Sequence, residues 1–492
     1  MPGAHRSTTY EALADLLRPL PLLLFVSSVA KYLSPARVRP LSDIGAWKVA
    51  GKPITIKGER PVLDSHLFPI WGYCSMSIVR IWIAVVCVCF ACGSVSAQEW
   101  TRFRGPNGSG VVPAVDIPST VSEANFNWKT KLPGIGHSSP AIWTDRLFVL
   151  SADPESAFRY VVGIDTKTGK ILWQKEFPAA ESHLHSKSSY ASCSPAVDED
   201  HVYVAWADDE NTRLIALNHD GETSWVANLG PWVSQHGFGT SPIVYQDKLI
   251  VSLMQLGDPR KIGNRPAGQS RLIAFDRKTG EKLWEADRDS DVAAYSVPCI
   301  YKTKEGQDVL ICNSSAHGIA AHDLSSGKEL WSEQVFNMRS VSSPVIAGDY
   351  ILGSCGSGGG GNTVSAVDPN GGQPKLVWRL AKSASYVPTP IAYDGKVFVW
   401  YDKGIVSCLD GKTGEVLGQK RVGGNYYGSP ILVGDRLFCM SEEGELVVVS
   451  ADKDLKVLGK SPLGEGSEST PAVSDGVMYL RTYSHVISLG GK

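Results

Sequence analysis

The stretch IDTKTGKILW, Ile164 to Trp173, decides the fold. Asp165 can accept from the backbone N–H groups just ahead of it, which starts a turn. Gly169, four residues on, tolerates the positive φ that sends the chain back antiparallel. Trp173 then opens the next strand with one flat ring, large enough to cover a seam between two sheets. AFDRKTGEKLW (Ala274 to Trp284) and AHDLSSGKELW (Ala321 to Trp331) repeat Asp, Gly and Trp at the same offsets. ALNHDGETSW (Ala216 to Trp225), AVDPNGGQPKLVW (Ala366 to Trp378) and CLDGKTGEVLG (Cys408 to Gly418) are looser copies. A unit that returns like this is a structural repeat.

A second marker travels with the first. A Ser/Thr-Pro pair opens a short apolar strand at Ser139-Pro140, Ser194-Pro195, Ser241-Pro242, Ser343-Pro344, Thr389-Pro390, Ser429-Pro430 and Thr470-Pro471, with Val297-Pro298 as a variant. The mean spacing is about 47 residues, and each period holds four β-rich runs, such as SPAIW, RLFVL, YVVGID and ILWQKE. Four strands at this length make a propeller blade. The last repeat stops after its third strand, HVISL, and the missing fourth is present at the other end as FNWKTKL, Phe126 to Leu132. The expected fold is therefore all-β: an eight-bladed propeller of four-stranded blades, closed by an N-terminal strand that completes the C-terminal blade. Trp128, Trp173, Trp225, Trp284, Trp331 and Trp378 are the expected blade-docking side chains.

The A-x-D-x-x-T-G-x-x-x-W unit resembles the repeat of the pyrroloquinoline-quinone-like (PQQ-like) propellers, over about Glu99 to Lys492. That superfamily includes quinoprotein alcohol dehydrogenases and the propeller lipoprotein of the outer-membrane barrel-assembly machinery. The resemblance implies the fold more firmly than an activity, since one propeller hosts unrelated functions.

The beginning of the chain follows other rules. Residues 1–75 show no sustained periodicity and are expected to be a disordered extension from a start codon placed too far upstream of Met76. Residues 76–97 carry Arg80, the apolar core IWIAVVCVCFA and a small-residue end, with Val95 and Ala97 at the −3 and −1 places of a Sec signal peptide. That core is short for a membrane span. Cys92 would be the lipidated residue of a lipoprotein, but Cys89-Phe90-Ala91 before it lacks the preferred aliphatic residue. Residues 98–125, with EWTRFRGPNGSGV at 99–111, read as an irregular lead-in packed on the propeller's side, where Arg102 and Arg104 anchor it. The propeller itself is expected over 126–492.

Composition agrees with an exported, periplasmic or secreted β-domain. Forty-nine Gly and 29 Pro supply turns, and the formal charge of −2 makes no electrostatic case for nucleic acid. Four of the ten Cys precede the expected cleavage site; the rest fall in strands of different blades and read as buried thiols. No C-x-x-C-H haem attachment exists. No integral membrane segment is expected after cleavage, and a monomer is expected.

Propeller geometry sorts the loops. With the Ser/Thr-Pro strand innermost, each D-x-x-T-G turn lies on the bottom face, and the more variable loops ahead of each proline share the top. Three to six places before each proline stand His137, Tyr190, His236, Tyr295, Arg339, Tyr386, Tyr426 and Glu468. Such a ring suits a small anionic or planar ligand, with Arg339 as the fixed cation; its other role would be to plug and hydrate the channel. His183, His185 and Lys187 form a smaller cluster, with no metal partner evident. GSGGGGN, Gly356 to Asn362, lacks the Lys-Ser/Thr of a phosphate loop and reads as a top-face hairpin. LGDPRKIGNRPAGQSR, Leu256 to Arg271, is the longest top loop, a lid, a partner contact or a solvated loop.

For function, the resemblance offers a PQQ-dependent alcohol or sugar dehydrogenase, in which a quinone sits over the channel with calcium held by carboxylate and amide oxygens. The adjacent Cys pair common in those enzymes is missing, Glu468 is the one carboxylate in the ring, and Asp291, after Asp287 and Asp289, is the remaining candidate base. The expected function is instead a non-enzymatic binding or scaffold propeller, with a protein partner or small ligand on the top face and no catalytic or metal residues. Kinase motifs are absent. The export reading predicts a mature protein that begins at Gln98; N-terminal sequencing of exported material that starts well before Met76 would overturn it.

Overall fold

The computed structural model describes residues 99–208, 210–258 and 266–491. The expected extension and signal peptide, Cys92, Gln98 and the basic centre of the long loop at 259–265 lie outside the described residues. Eight sheets follow one another along the chain at 141–177, 196–228, 243–288, 299–333, 345–380, 391–421, 431–462 and 472–490, numbered here as blades 1 to 8. Within each blade neighbouring strands pair antiparallel, in chain order. Blade 8 takes its outer strand from the N-terminal side: Phe126–Lys131 pairs antiparallel with His485–Gly490, with Trp128 opposite Ser488. The ring is thus closed by an N-terminal strand, as the repeat count requires.

The strand that follows each Ser/Thr-Pro pair, or Val-Pro in blade 4, is the innermost of its blade's four, and these inner strands meet around the axis. The side chain before proline ties one blade to the next. Ser139 N–H donates to Ser194 Oγ at 2.9 Å, and Ser194 N–H to Ser241 Oγ at 2.9 Å. Past the variant position, Val297 N–H donates to Ser343 Oγ, Ser343 N–H to Thr389 Oγ1, and Thr389 N–H to Ser429 Oγ, all at 3.0–3.1 Å. Ser429 N–H then reaches Thr470 Oγ1, and Thr470 N–H returns to Ser139 Oγ. The one step without a hydroxyl is from blade 3 to blade 4, where valine stands. Proline cannot donate, so the residue ahead of it carries the N–H, and a short hydroxyl is the acceptor that fits inside the hub.

At the rim a different device repeats. Asp165 Oδ1 accepts from Thr168 N at 2.7 Å and Lys167 N at 3.2 Å, and Gly169 has φ of 70°. A Cβ on Gly169 would lie 2.5 Å from the Trp128 ring of blade 8, because the tryptophan of one blade lies on the turn glycine of the next. Trp128 Nε1 donates to Thr166 O, Trp173 to His219 O, Trp225 to Arg277 O, Trp284 to Leu324 O and Trp378 to Gly411 O. Each acceptor is the residue just after the Asp or Asn that starts the turn. Trp331 packs half-buried at the seam of blades 4 and 5, where the turn is the divergent DPNGG. Blades 6 and 7 carry Gly418 and Gly459 at the tryptophan register, opposite Cys408 and Val448. There a Cβ would meet Lys453 O at 1.8 Å and Ser119 O at 1.9 Å. Backbone fills the space that a ring fills elsewhere.

The apolar core is divided among the seams between blades rather than gathered at one centre. The hub holds the lead-in instead of solvent, which corrects its expected place on the propeller's side. Trp100 O accepts from Ile142 N in blade 1, and Thr101 O from Val197 N in blade 2. Asn107 exchanges two side-chain hydrogen bonds with Ile300 of blade 4, each at 2.8 Å. Val111–Val112 then pairs parallel with the inner strand of blade 7. The segment leaves under blade 7, where Arg436 donates to Val115 O and Ile117 O, and reaches the rim at Ser461 and Phe126. The inner strands present backbone groups to the hub, and the segment's own backbone with its Asn and Arg side chains satisfies several of them, which is why the segment is drawn inward.

Replacing Thr389 by Val keeps the shape and removes the acceptor of the buried Ser343 N–H. The expected cost is about 1–3 kcal/mol in denaturant unfolding, the range for stranding a buried donor. A loss below about 0.5 kcal/mol would show that the hydroxyl ring does not hold the hub.

Candidate functional site

The top-face loops enclose a funnel of about 520 Å³, to which all eight blades contribute. Its lower wall is the Ser/Thr ring, and Phe103, carried into the hub by the lead-in, is its floor. The funnel is therefore closed below.

Six of the eight ring candidates line it: His137, His236, Tyr295, Arg339, Tyr386 and Glu468. Tyr190 and Tyr426 do not. The Tyr190 hydroxyl donates to Ser182 O at 3.0 Å, and its ring lies 4.3 Å from the Arg159 guanidinium. Tyr426 is fully buried, edge-on to Trp400, and its neighbour Tyr427 faces the funnel instead. Adjacent residues of an extended loop point to opposite sides, so a Tyr-Tyr pair gives one to the core and one to the cavity. Of the smaller candidates, His185 and Lys187 reach the wall, as do Ser357, Gly358 and Asn362 of the glycine-rich hairpin. Asp291 is exposed and lies off the funnel, its carbonyl accepting from Gly257 N.

Arg339 is held by its neighbours' acceptors. Its Nε donates to Ala293 O at 2.9 Å and its Nη2 to Gln235 Oε1 at 3.0 Å, while Nη1 donates to His236 Nε2. A guanidinium only donates, so Nε2 of His236 is the accepting nitrogen. Burial, followed by Arg339, His185 and His183, pushes His236 down to about 4, so this ring is neutral. Among the described residues no carboxylate stands within ion-pairing distance of Arg339.

On the opposite side Glu468 lies 3.3 Å from His137 Nδ1, with its side chain 6% exposed. Burial raises Glu468 to about 7, against the pull of Lys187 and a hydrogen bond from Tyr483. Burial, with Arg481 and Lys187 nearby, pushes His137 down to about 3. With the imidazole neutral and the carboxyl only partly ionised at neutral pH, the two do not form a fixed ion pair. Lys187 pairs with Glu442 and lies 4.7 Å from the centre of the Tyr427 ring, fixing the loop before blade 2 across the funnel mouth.

Asp402 was not legible in the ring pattern. It sits in the tight Tyr-Asp-Lys-Gly hairpin of blade 6, whose shortness was the available signal. Its carboxylate accepts from Tyr386 N at 2.7 Å and Val387 N at 3.0 Å, orienting the Tyr386 loop, and burial raises its pKa against those bonds.

The family model described as outer membrane protein assembly factor BamB matches residues 108–255, 195–420 and 402–489. The chain belongs to this PQQ-like propeller family. A europium-containing methanol dehydrogenase superposes with a TM-score of 0.60 at 15% identity, over 79% of this chain and 90% of that one. BamB from Moraxella catarrhalis superposes with a TM-score of 0.51 at 16% identity, over 74% and 98%. These likenesses show the fold. Tetrathionate hydrolase of Acidithiobacillus ferrooxidans is 28% identical over 220 residues, 44% of this chain; the chain spans 39% of that enzyme's length.

PQQ-like propellers include proteins that hold a quinone through a metal, and such a site needs several oxygen donors that converge on the cation. Among the described residues no group of three or more His, Cys, Asp or Glu side chains stands at metal-binding spacing. The Asp402 carboxylate is committed to two backbone N–H groups, and burial raises Glu468 to about 7, which disfavours the charged form a cation needs. The cysteines of the described residues are all buried and unbonded to each other. These residues do not fit a calcium-held quinone.

Glu468 has a folded pKa above its ordinary value of 4.5, so folding takes up a proton between about 4.5 and 7. Its burial therefore costs stability increasingly as pH rises through that window, and in full above it. Relative to the wild type, Glu468→Gln should gain nothing at pH 4 and on the order of 2–3 kcal/mol at pH 8, read by urea unfolding across the range. A constant difference at all pH values would remove Glu468 as the titrating group.

Proposed function

We propose that this protein is an exported binding or interaction propeller that takes a small anionic ligand, or an anionic segment of a protein partner, into its top-face funnel. The observation that carries the reading is Arg339, a cation oriented by three neutral acceptors and, among the described residues, left without a carboxylate, on the wall of a funnel of ligand size. Tyr295, Tyr386 and Tyr427 offer ring faces around it. Membership of the BamB-described family supports a binding role, and the poor fit to a metal-held quinone weighs against the dehydrogenase alternative.

Export rests on the expected signal at 76–97, with residues 1–75 as an upstream extension and Gln98 as the first mature residue. No helix among the described residues is long and apolar enough to cross a membrane. The periplasm or the exterior is the proposed location, and a monomer the proposed state.

A thermal-shift screen of small anions and short acidic peptides comes first, with PQQ plus Ca²⁺ as a separate arm. Any hit is then titrated against Arg339→Ala, where the expected loss is about 1.5–3 kcal/mol, roughly 10- to 150-fold. Tyr386→Ala or Tyr427→Ala should cost less, on the order of 0.5–1.5 kcal/mol. A hit with unchanged affinity in Arg339→Ala removes Arg339 from the site. Stabilisation by PQQ with Ca²⁺ would return the dehydrogenase reading.

A further inference from the structure

Beneath and beside the funnel lie buried charges that its wall does not display. Arg102 and Arg104 flank the floor residue Phe103 in the chain, and they are 6% and 0% exposed. Arg102 Nη2 donates to Pro298 O at 2.7 Å, and Arg104 Nη2 to Pro390 O at 2.9 Å. Those prolines follow Val297 and Thr389, both on the funnel wall. Arg481, 0% exposed, donates to Leu150 O, Thr482 O and Tyr483 O. Its Nη2 lies 2.9 Å from the place a Cβ on Gly136 would take, beside His137 of the wall.

Among the described residues, every hydrogen-bond acceptor of these three guanidiniums is a main-chain carbonyl and none of the three forms an ion pair. Nε of Arg102, and Nε and Nη1 of Arg104, find no acceptor among the described residues. Buried charges are normally paired, because burial without a counter-charge is costly. Carbonyl dipoles solvate a cation without neutralising it, and solution ions screen a buried charge poorly. Burial pushes Arg102 down to about 10, and Arg104 and Arg481 to about 9, which leaves all three charged at neutral pH.

The opposing charges are accounted for. Asp402 has its two backbone donors, burial raises Glu468 to about 7, Lys187 is matched by Glu442, and Glu465, the carboxylate that acts on Arg481, accepts from Thr482 and Ser484. Lys403, also on the wall, donates to Asn425 Oδ1 and adds a further cation. The hub is thus net positive inside a chain whose formal charge is −2.

We infer that the funnel selects a free, compact dianion over a monoanion of the same shape, the second charge being held by the buried layer of Arg102, Arg104 and Arg481. This rests on the reading of Arg339 as the cation that receives an anion. Arg339 recognises one anionic group, whereas the buried layer acts through its field on total charge and supplies no hydrogen bond to distinguish shapes.

The test is calorimetric titration of the mature protein with sulfate and with methanesulfonate, two tetrahedral anions that differ by one charge, at one ionic strength. Sulfate should bind at least about tenfold more tightly, the gain of one extra unit charge near a cation about 10 Å away at an effective dielectric of about 20. In Arg102→Gln and Arg104→Gln the ratio should shrink several-fold, whereas Arg104→Lys should retain it. Arg339→Gln should weaken both anions together. Equal affinities in the wild type overturn this inference and leave the Arg339 reading standing; binding of neither anion overturns both. A ratio unchanged in folded Arg102→Gln and Arg104→Gln also overturns it. If those variants fail to fold, the wild-type ratio still decides.

Discussion

The hydroxyl that precedes seven of the eight inner-strand prolines makes the interaction on which the rest of the molecule depends. A propeller must bring eight edges together where space is scarcest, and each edge brings a backbone N–H that has to be satisfied. Passing that N–H to the next blade's Ser or Thr solves both problems at once, and it fixes the angle between neighbours. The funnel inherits its shape from this arrangement, because the loops that form it hang from the same residues. Tryptophans at the rim act as the outer counterpart, and Trp128, Trp173, Trp225, Trp284 and Trp378 each sit on a glycine where a Cβ would collide with the ring. Hub and rim together leave the top loops free to differ.

The division between what the sequence displayed and what it hid follows from range. Asp165, Gly169 and Trp173 write their roles within ten residues, so the blade could be read from its turn. The spacing of the Ser/Thr-Pro pairs gave the number of blades, and the orphan strand at Phe126 gave the closure. The function of the Ser or Thr itself was not visible, because its partner lies a whole blade away. The same holds for Gly418 and Gly459, which look like decayed tryptophan positions but face incoming backbone.

In the candidate site, errors arose where the direction of a side chain mattered more than its place. Position before proline found His137, His236, Tyr295, Arg339, Tyr386 and Glu468, yet it could not tell which tyrosine of the pair Tyr426-Tyr427 faces inward. Asp402 escaped because it comes from a hairpin outside the pattern. The lead-in was misplaced for a physical reason. A Gly- and Pro-rich segment suggests surface, but here its irregularity lets it satisfy the exposed edges of inner strands in several blades in turn.

That segment also sets the timetable of folding. Asn127 near the start of the propeller hydrogen-bonds Ser488 near its end, 361 residues away. On a ribosome the first rim strand emerges long before its partner exists, and the hook that fills the hub has no hub to enter. Both must wait, with strand edges open, until the last blade is made. Loop closure over such distances is slow, and open edges invite pairing with other chains. The protein's most vulnerable moment is the interval between the synthesis of its first strand and its last, and what guards that strand in the meantime governs how much of the chain reaches the closed ring.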